Sequence, residues 1–275
     1  MKCKLFTFSI ILFSSIRIFG QTPDWIWAKS AGGVNYDVGN SIATDNLGNT
    51  YVTGYFESPA ITIGNIVLNN ASGSGGINKG DFFIAKYDPL GNVAWAKSVG
   101  GNYPEKGISI TTDINGNVYV TGIFCSIQIS FGGYALSNAY TGYPFTSDIF
   151  IVKYSSTGTL LWDKRAGGIY DDMSTCITTD KIGNVYLSGY FGSSSITFGS
   201  TILTNTGSLG TDDFFLVKYN SSGGVIWAKS AGGIGNDVVS SIATDSLGNL
   251  YITGNFKSSF ITLGGNTLIN SSCHL

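Results

Sequence analysis

Three observations predict an all-β chain folded as a β-propeller of tandem four-stranded blades. First, a pattern of Asp, two spacer residues, Gly-Asn and a β-rich run closed by Gly and an aromatic occurs four times. Its anchoring aspartates, Asp45, Asp113, Asp180 and Asp245, are 68, 67 and 65 residues apart, and a period of that kind means a repeat architecture. Second, no segment beyond the N-terminal 20 residues holds a sustained helical period, and 38 glycines against five prolines suit short strands joined by tight turns. Third, each unit reads as four principal strands plus an inserted hairpin. Four antiparallel strands in tandem make a blade; the rival β-solenoid uses shorter coils of parallel strands.

The elements justify this in order. Residues 1–20 read as a signal peptide: Lys2 and Lys4 form a positive head, Leu5 to Ile16 a short apolar run, and cleavage is expected after Gly20. That run is too short for a comfortable membrane span. Next comes Trp25-Ile26-Trp27-Ala28-Lys29-Ser30-Ala31-Gly32-Gly33, expected to be a strand ended by Gly-Gly and repeated from Trp95, Trp162 and Trp227. The short strand Ser41–Thr44 leads into the Asp-x-x-Gly-Asn turn, where Asp accepts amides two residues on and Gly supplies positive φ. The strand Thr50–Phe56 is rich in Val, Tyr and Thr. A Gly-centred hairpin follows, Ile61 to Asn70, with partners at 129–138, 196–205 and 261–270. A variable Gly/Ser/Asn-rich loop precedes Asp81-Phe82-Phe83-Ile84-Ala85-Lys86-Tyr87, which returns at Asp148 and Asp213.

The units run approximately 25–37 (an N-terminal strand), 38–104, 105–170, 171–236 and 237–275, the last partial. Three complete blades and a partial fourth are therefore expected, as an open arc cut from a longer protein. An unpaired sheet edge would be an aggregation hazard.

The string Ser-Ile-x-Thr-Asp-x-x-Gly-Asn-x-Tyr-Val-Thr-Gly, followed by Asp-x-Phe-x-x-Lys-Tyr and Trp-Ala-Lys-x-x-Gly-Gly, resembles the SBBP β-propeller repeat of secreted and surface bacterial proteins. The glycine-led hairpin is similar to forms in Bacteroidetes proteins. The resemblance covers nearly everything from Trp25 to Asn270. It implies a propeller and an exported protein, and it brings no catalytic residues with it.

The chemistry available is narrow. The formal net charge is -2, charged residues make up 12% of the chain, and no Lys/Arg run suggests a nucleic-acid partner. Loss of Lys2, Lys4 and Arg17 on cleavage would take the charge from -2 to -5. His274 is the only histidine, which argues against Ser-His or Cys-His catalysis and His-ligated metal. No cofactor is expected. Cys125, Cys176 and Cys273 match no metal or redox spacing and read as isolated small residues, with a disulfide left open.

Two acidic series recur. Asp45, Asp113, Asp180 and Asp245 read as turn caps, although Asp113-Ile114-Asn115-Gly116-Asn117 spaces oxygens as a calcium loop does. Asp37, Glu105, Asp171 and Asp237 follow each Gly-Gly and are the ligand-binding candidates, on a rim shared with the hairpins and variable loops; capping is their alternative role. Lys29, Lys97, Lys164 and Lys229 are expected to pair with nearby acids. Trp27, Trp95, Trp162 and Trp227 are expected to be inter-blade core, with Trp95 and Trp162 largely buried.

The function these features predict is a secreted or cell-surface, non-enzymatic binding or adhesion scaffold for an unknown protein or glycan, without stable membrane insertion after signal cleavage. The alternatives are a polysaccharide-active enzyme using Asp171-Asp172 or Asp212-Asp213, and a structural spacer. Adjacent strand residues point to opposite faces, which makes those pairs poor acid–base partners.

Overall fold

The computed structural model describes residues 25–73, 76, 79–142, 145–207 and 210–271. Within them every regular element is a strand. The first blade is β1 (Asp37–Thr44), β2 (Thr50–Phe56), the inserted hairpin β3 (Ala60–Ile63) and β4 (Ile66–Asn69), β5 (Asp81–Tyr87) and β6 (Val93–Val99). Its sheet order is β1-β2-β5-β6, antiparallel throughout. The second blade repeats this with β7 (Glu105–Thr112), β8 (Val118–Phe124), β9 (Gln128–Ile129), β10 (Leu136–Ser137), β11 (Asp148–Tyr154) and β12 (Leu160–Ala166). The third has β13 (Asp172–Thr179), β14 (Val185–Phe191), β15 (Ser195–Phe198), β16 (Thr201–Thr204), β17 (Asp213–Tyr219) and β18 (Val225–Ala231). The fourth sheet holds β19 (Asp237–Thr244) and β20 (Leu250–Phe256), followed by the hairpin β21 (Phe260–Leu263) and β22 (Asn266–Ile269).

The chain is thus an all-β repeat with three four-stranded blades and a partial fourth. Ile42 on the first blade is 65% exposed and Tyr251 on the fourth 59%, while Ile110, Ile177, Tyr119 and Tyr186 at equivalent positions are buried. The outer blades do not cover these faces for each other, so the arc is open.

A single sheet cannot bury its own faces, so the core lies between blades. One cluster joins Tyr51, Phe82 and Ile84 of the first blade to Ile110, Val120 and Phe150 of the second. Another joins Ile149 and Ile151 to Ile177, Leu187 and Phe215 of the third. The inserted hairpins are wedges in these gaps. Phe131, beside the second hairpin, packs on Phe82 of the blade before it (ring centroids 5.7 Å) and on Phe150 of its own (5.0 Å). The hairpins lie along the blades, with Gly64 and Gly199 reaching Val93 and Val225. They start at the rim where the acids were expected but run away from it, because Ile61, Ile63 and Leu68 would otherwise expose apolar surface.

The first strand of every blade is longer than the sequence suggested, and the pairing of β1 with β2 shifts register between Gly39 and Ser41. The same bulge recurs in the other blades. It pushes the Val38 carbonyl onto Gly54, where any Cβ would overlap it. Gly122, Gly189 and Gly254 meet Lys106, Met173 and Val238 in the same way. The glycine of each β-rich run is therefore required by a close backbone approach.

Two expectations are corrected. Residues 25–33 form no strand; among the described residues no Asp-x-Phe strand pairs with them, and Trp27 instead stacks on Tyr87 at 5.6 Å. The tryptophans are half-buried rather than largely buried, since each sits on or beside an outermost strand and is covered on one side. The inter-blade role itself is present: Trp95 Nε1 donates to the Ser156 carbonyl at 3.2 Å and Trp162 Nε1 to that of Ser221 at 3.1 Å, each in the next blade. Residues 1–20, Cys273 and His274 lie outside the described residues.

Candidate functional site at the loop end of the blades

Antiparallel order gives every blade two ends. At the turn end lie the Asp-x-x-Gly-Asn turns. At the loop end lie the starts of strands one and three, the Gly-Gly connections and the variable loops.

The turn acids are capping groups. Asp45 accepts the Leu47 and Asn49 amides, the Asn49 side chain and the Tyr51 hydroxyl, at 2.8–3.1 Å. Asp113, Asp180 and Asp245 repeat this arrangement. In the calcium-like copy, Asp113 already takes Asn115, Asn117 and Tyr119 as donors and stands 3.7 Å from Lys153 Nζ. No cluster of three or more metal-ligating side chains occurs among the described residues. The ion pairs to turn acids come from Lys153 and Lys218 on the third strands, not from the Lys97 series. Lys97 instead lies over the Tyr154 ring, with Nζ 6.0 Å from its centroid.

The acids after Gly-Gly are internal ties. Asp37 accepts the Gly33 amide (2.7 Å), the Ser58 amide (3.1 Å) and the Ser58 hydroxyl (2.7 Å). Glu105 accepts the amides of Gly101 and Ser126. Asp237 accepts the Ser258 amide and hydroxyl, with Lys257 adding its amide. The third member of this series is Asp172, not Asp171. Asp172 accepts Gly168 and Ser193 at the same relative positions, because the tie always lies four residues after the second glycine. Asp171 caps the variable loop instead, accepting the Ser147 amide (2.9 Å) and hydroxyl (2.8 Å). Glu105, Asp172 and Asp237 are fully buried and Asp37 half-buried. Burial is the main cause that pushes Glu105 up to about 8 and Asp172 up to about 7, and their hydrogen bonds oppose it.

Two series escaped the sequence reading. Ser58, Ser126, Ser193 and Ser258 are the partners of these acids, and the signal was visible: each stands two residues after the closing aromatic. Asp81, Asp148 and Asp213 open the third strands and are buried. Their Asp-x-Phe motif reads as a strand opening, with Asp213 weighed only as a partner of Asp212 in the enzymatic alternative.

The outward-facing groups at the loop end differ from blade to blade. Tyr36 is 64% exposed and lies 6.3 Å from the Tyr55 ring, over which Lys106 sits at 4.7 Å. Tyr103 packs on Phe145 of the next loop at 3.6 Å. A pocket of about 250 Å³ opens among Ala71, Gly101, Asn102, Tyr103, Ser126 and Gln128. Asp171 and Asp212 face each other electrostatically beside Tyr190; burial first, then Asp171, raises Asp212. Asp212 thus feels both Asp171 and its own neighbour Asp213. Cys125 and Cys176 are free thiols.

This architecture defines a propeller-type repeat scaffold. The β-propeller repeat model SBBP matches the chain at residues 26–55, 95–122 and 226–256. Each match spans an outer tryptophan segment, the Gly-Gly tie and the first two strands of the following blade. The chain is 28% identical over 236 residues to an uncharacterized WD repeat-containing protein, L264, of Acanthamoeba polyphaga mimivirus, covering 78% of this chain and 17% of that protein. It is 26% identical over 183 residues to the regulatory protein FlaEY of Caulobacter vibrioides, covering 63% and 18%. The chain thus spans less than a fifth of these curated relatives. A solved protein of unknown function from Bacteroides caccae aligns over 78% of this chain and 70% of its own, with 13% identity and a TM-score of 0.35.

Proposed function

We propose that the protein is a non-enzymatic binding scaffold, exported through its N-terminal segment to the cell surface or medium, that takes a protein or glycan ligand at the loop end. One observation carries this reading. The acids that recur in every blade are occupied by internal donors, whereas the loop-end groups vary: Tyr36, Asn102, Asp171 and Asp212 do not recur, and Tyr103 returns only once, as Tyr170. A rigid repeat with a varied, aromatic and acidic rim is suited to recognition. Aromatic faces and carboxylates also serve sugars and basic peptide segments.

Cell fractionation of the full chain tests export, and retention of residues 1–20 in the cytoplasm would refute it. Glycan arrays and pull-downs with the purified chain test binding. Binding is expected and should weaken at least tenfold when Tyr36 and Tyr103 are replaced by Ala. Binding unaffected by both changes would overturn the loop-end assignment. Polysaccharide hydrolysis that disappears in Asp171→Asn would overturn the non-enzymatic reading.

A further inference from the structure

Three aspartates take no part in that reading. Asp81, Asp148 and Asp213 are 0–1% exposed. In each, Oδ2 accepts the amide of the residue following the inserted hairpin unit: Ala71 at 2.7 Å, Ala139 at 2.8 Å and Thr206 at 2.8 Å. In each, Oδ1 is buried and has no hydrogen-bond partner. Backbone closes the carboxylate: a Cβ on Gly100, Gly167 or Gly232 would overlap it. The following blade then brings a second acid into the same joint. The amides of Glu105, Asp172 and Asp237 donate to the carbonyls of Gly80, Ser147 and Asp212, each immediately before the aspartate, at 2.7, 2.9 and 2.7 Å.

We propose that each of these three joints binds a proton on the strand-opening aspartate, whose Oδ1 has no donor, beside the acid that begins the next blade, so that acid tightens the blade stack and alkali loosens it. A buried carboxylate oxygen with no donor is far less unfavourable in the neutral acid than in the anion. Two carboxylates meeting in one dry joint add like-charge repulsion, which one proton relieves. A metal ion does not fit beside Oδ1, because Gly100, Gly167 and Gly232 already fill that space.

The surroundings differ among the joints. At the first, Glu105 on β7 faces Asp81, while its neighbour Lys106 is turned to the Tyr55 ring. At the second, Asp172 on β13 faces Asp148, Arg165 from β12 donates to Asp148 Oδ2 at 2.8 Å, and the Cys125 thiol lies in the field of Glu105, Asp171 and Asp148. At the third, Asp237 on β19 faces Asp213, with Asp212 alongside. Ser98 and Ser230 stand where the second joint has Arg165, so the first and third joints lack that cation. Burial pushes Asp81 and Asp148 up to about 6 and raises Asp213. The folded chain then holds protons that an unfolded chain releases above about pH 4. Stability from the joints is complete below that pH and is lost as pH rises through about 6 to 8.

Urea unfolding of the full chain at pH 5, 6, 7 and 8, followed by tryptophan fluorescence, tests this. The folded-to-unfolded ratio is expected to fall by about tenfold per pH unit for each proton held. Asp81→Asn and Asp213→Asn keep the shape and the Oδ acceptor without the charge, and each should remove one joint's share of that slope. Stability flat or rising from pH 5 to 8, or a slope unchanged in both variants, would overturn the proposal. So would calcium stabilising the wild type at pH 8 but not these variants, since the site would then hold a cation. Should the variants not fold, infrared spectra of the wild type at pH 7 decide: a protonated-carboxyl band supports the bound proton, and its absence refutes it.

Discussion

Asp45 and Asp180 at the turn end and Asp81 and Asp148 at the loop end recur with the same period, yet their surroundings treat charge in opposite ways. At the turn end burial works against ionisation, but the Asn49 side chain, the Asn49 and Leu47 amides and the Tyr51 hydroxyl outweigh it and hold Asp45 below the usual range; Asp180 behaves alike. At the loop end burial dominates, and a single protein amide on Asp81 does not offset it. Recurrence therefore marks an aspartate as part of the scaffold without fixing its charge. The balance between burial and donors decides that, since Asp172 accepts three hydrogen bonds and is still pushed up by its deeper burial.

The largest expected effect sharpens the loop end. Asp172→Ala leaves the Gly168 amide and the Ser193 amide and hydroxyl without their acceptor in a dry joint, and should destabilise by about 3 kcal/mol. Asp171→Ala, one residue away on the exposed side, should lose no more than about 1 kcal/mol. Equal losses in urea midpoints would return the tie to Asp171. Trp162→Ala comes next. Its indole packs on Tyr119, at a ring distance of 5.9 Å, and bonds Ser221 across the blade gap. Half-burial lowers the expected loss to about 2 kcal/mol, below that of a fully buried tryptophan, and an unchanged melting temperature would refute the cross-blade role.

At the turn end, Asp180→Ala removes acceptors from a partly exposed turn and should destabilise by about 1–2 kcal/mol at pH 7, less than Asp172→Ala. Its pH signature has the opposite sign to the joints. A carboxyl held low contributes stability that is present above its unfolded value near 4 and is lost as pH falls through the folded value. Asp180→Asn should accordingly flatten the acid limb below pH 4 and leave the slope from 5 to 8 intact. A change confined to the alkaline limb would break the contrast between the two ends.

The blades, the turn caps and the cross-blade tryptophans were legible because a period, a turn chemistry and an aromatic at fixed spacing are local signals. The joint was not. Asp81 and Glu105 are separated in sequence and meet only when one blade packs on the next, and a strand-opening aspartate looks like a polar boundary residue. The slip from Asp172 to Asp171 has a simpler cause: two adjacent acids follow that Gly-Gly, and only the hydrogen bonds show which one points inward. The hairpins were placed on the rim because their roots are there, while apolar burial lays their length along the blades.

The smallest effect tests the joint between the third and fourth blades. Ser41 Oγ accepts the Ile110 amide at 3.3 Å, and Ser109 Oγ accepts the Ile177 amide at 3.2 Å, each joining a first strand to that of the next blade. Cys176 holds the corresponding position, and its Sγ approaches the Ile242 carbonyl at 3.8 Å. Sulfur is a weak acceptor, so this joint lacks the oxygen that serves the other two. Cys176→Ser should supply it and raise stability by about 0.5–1.5 kcal/mol, with Ser109→Ala lowering it by a similar amount. The gain belongs to the third joint alone, so it should appear as greater hydrogen-exchange protection of β19 with little change in β1. Unchanged protection in Cys176→Ser would mean that packing, not this bond, sets the spacing of the first strands.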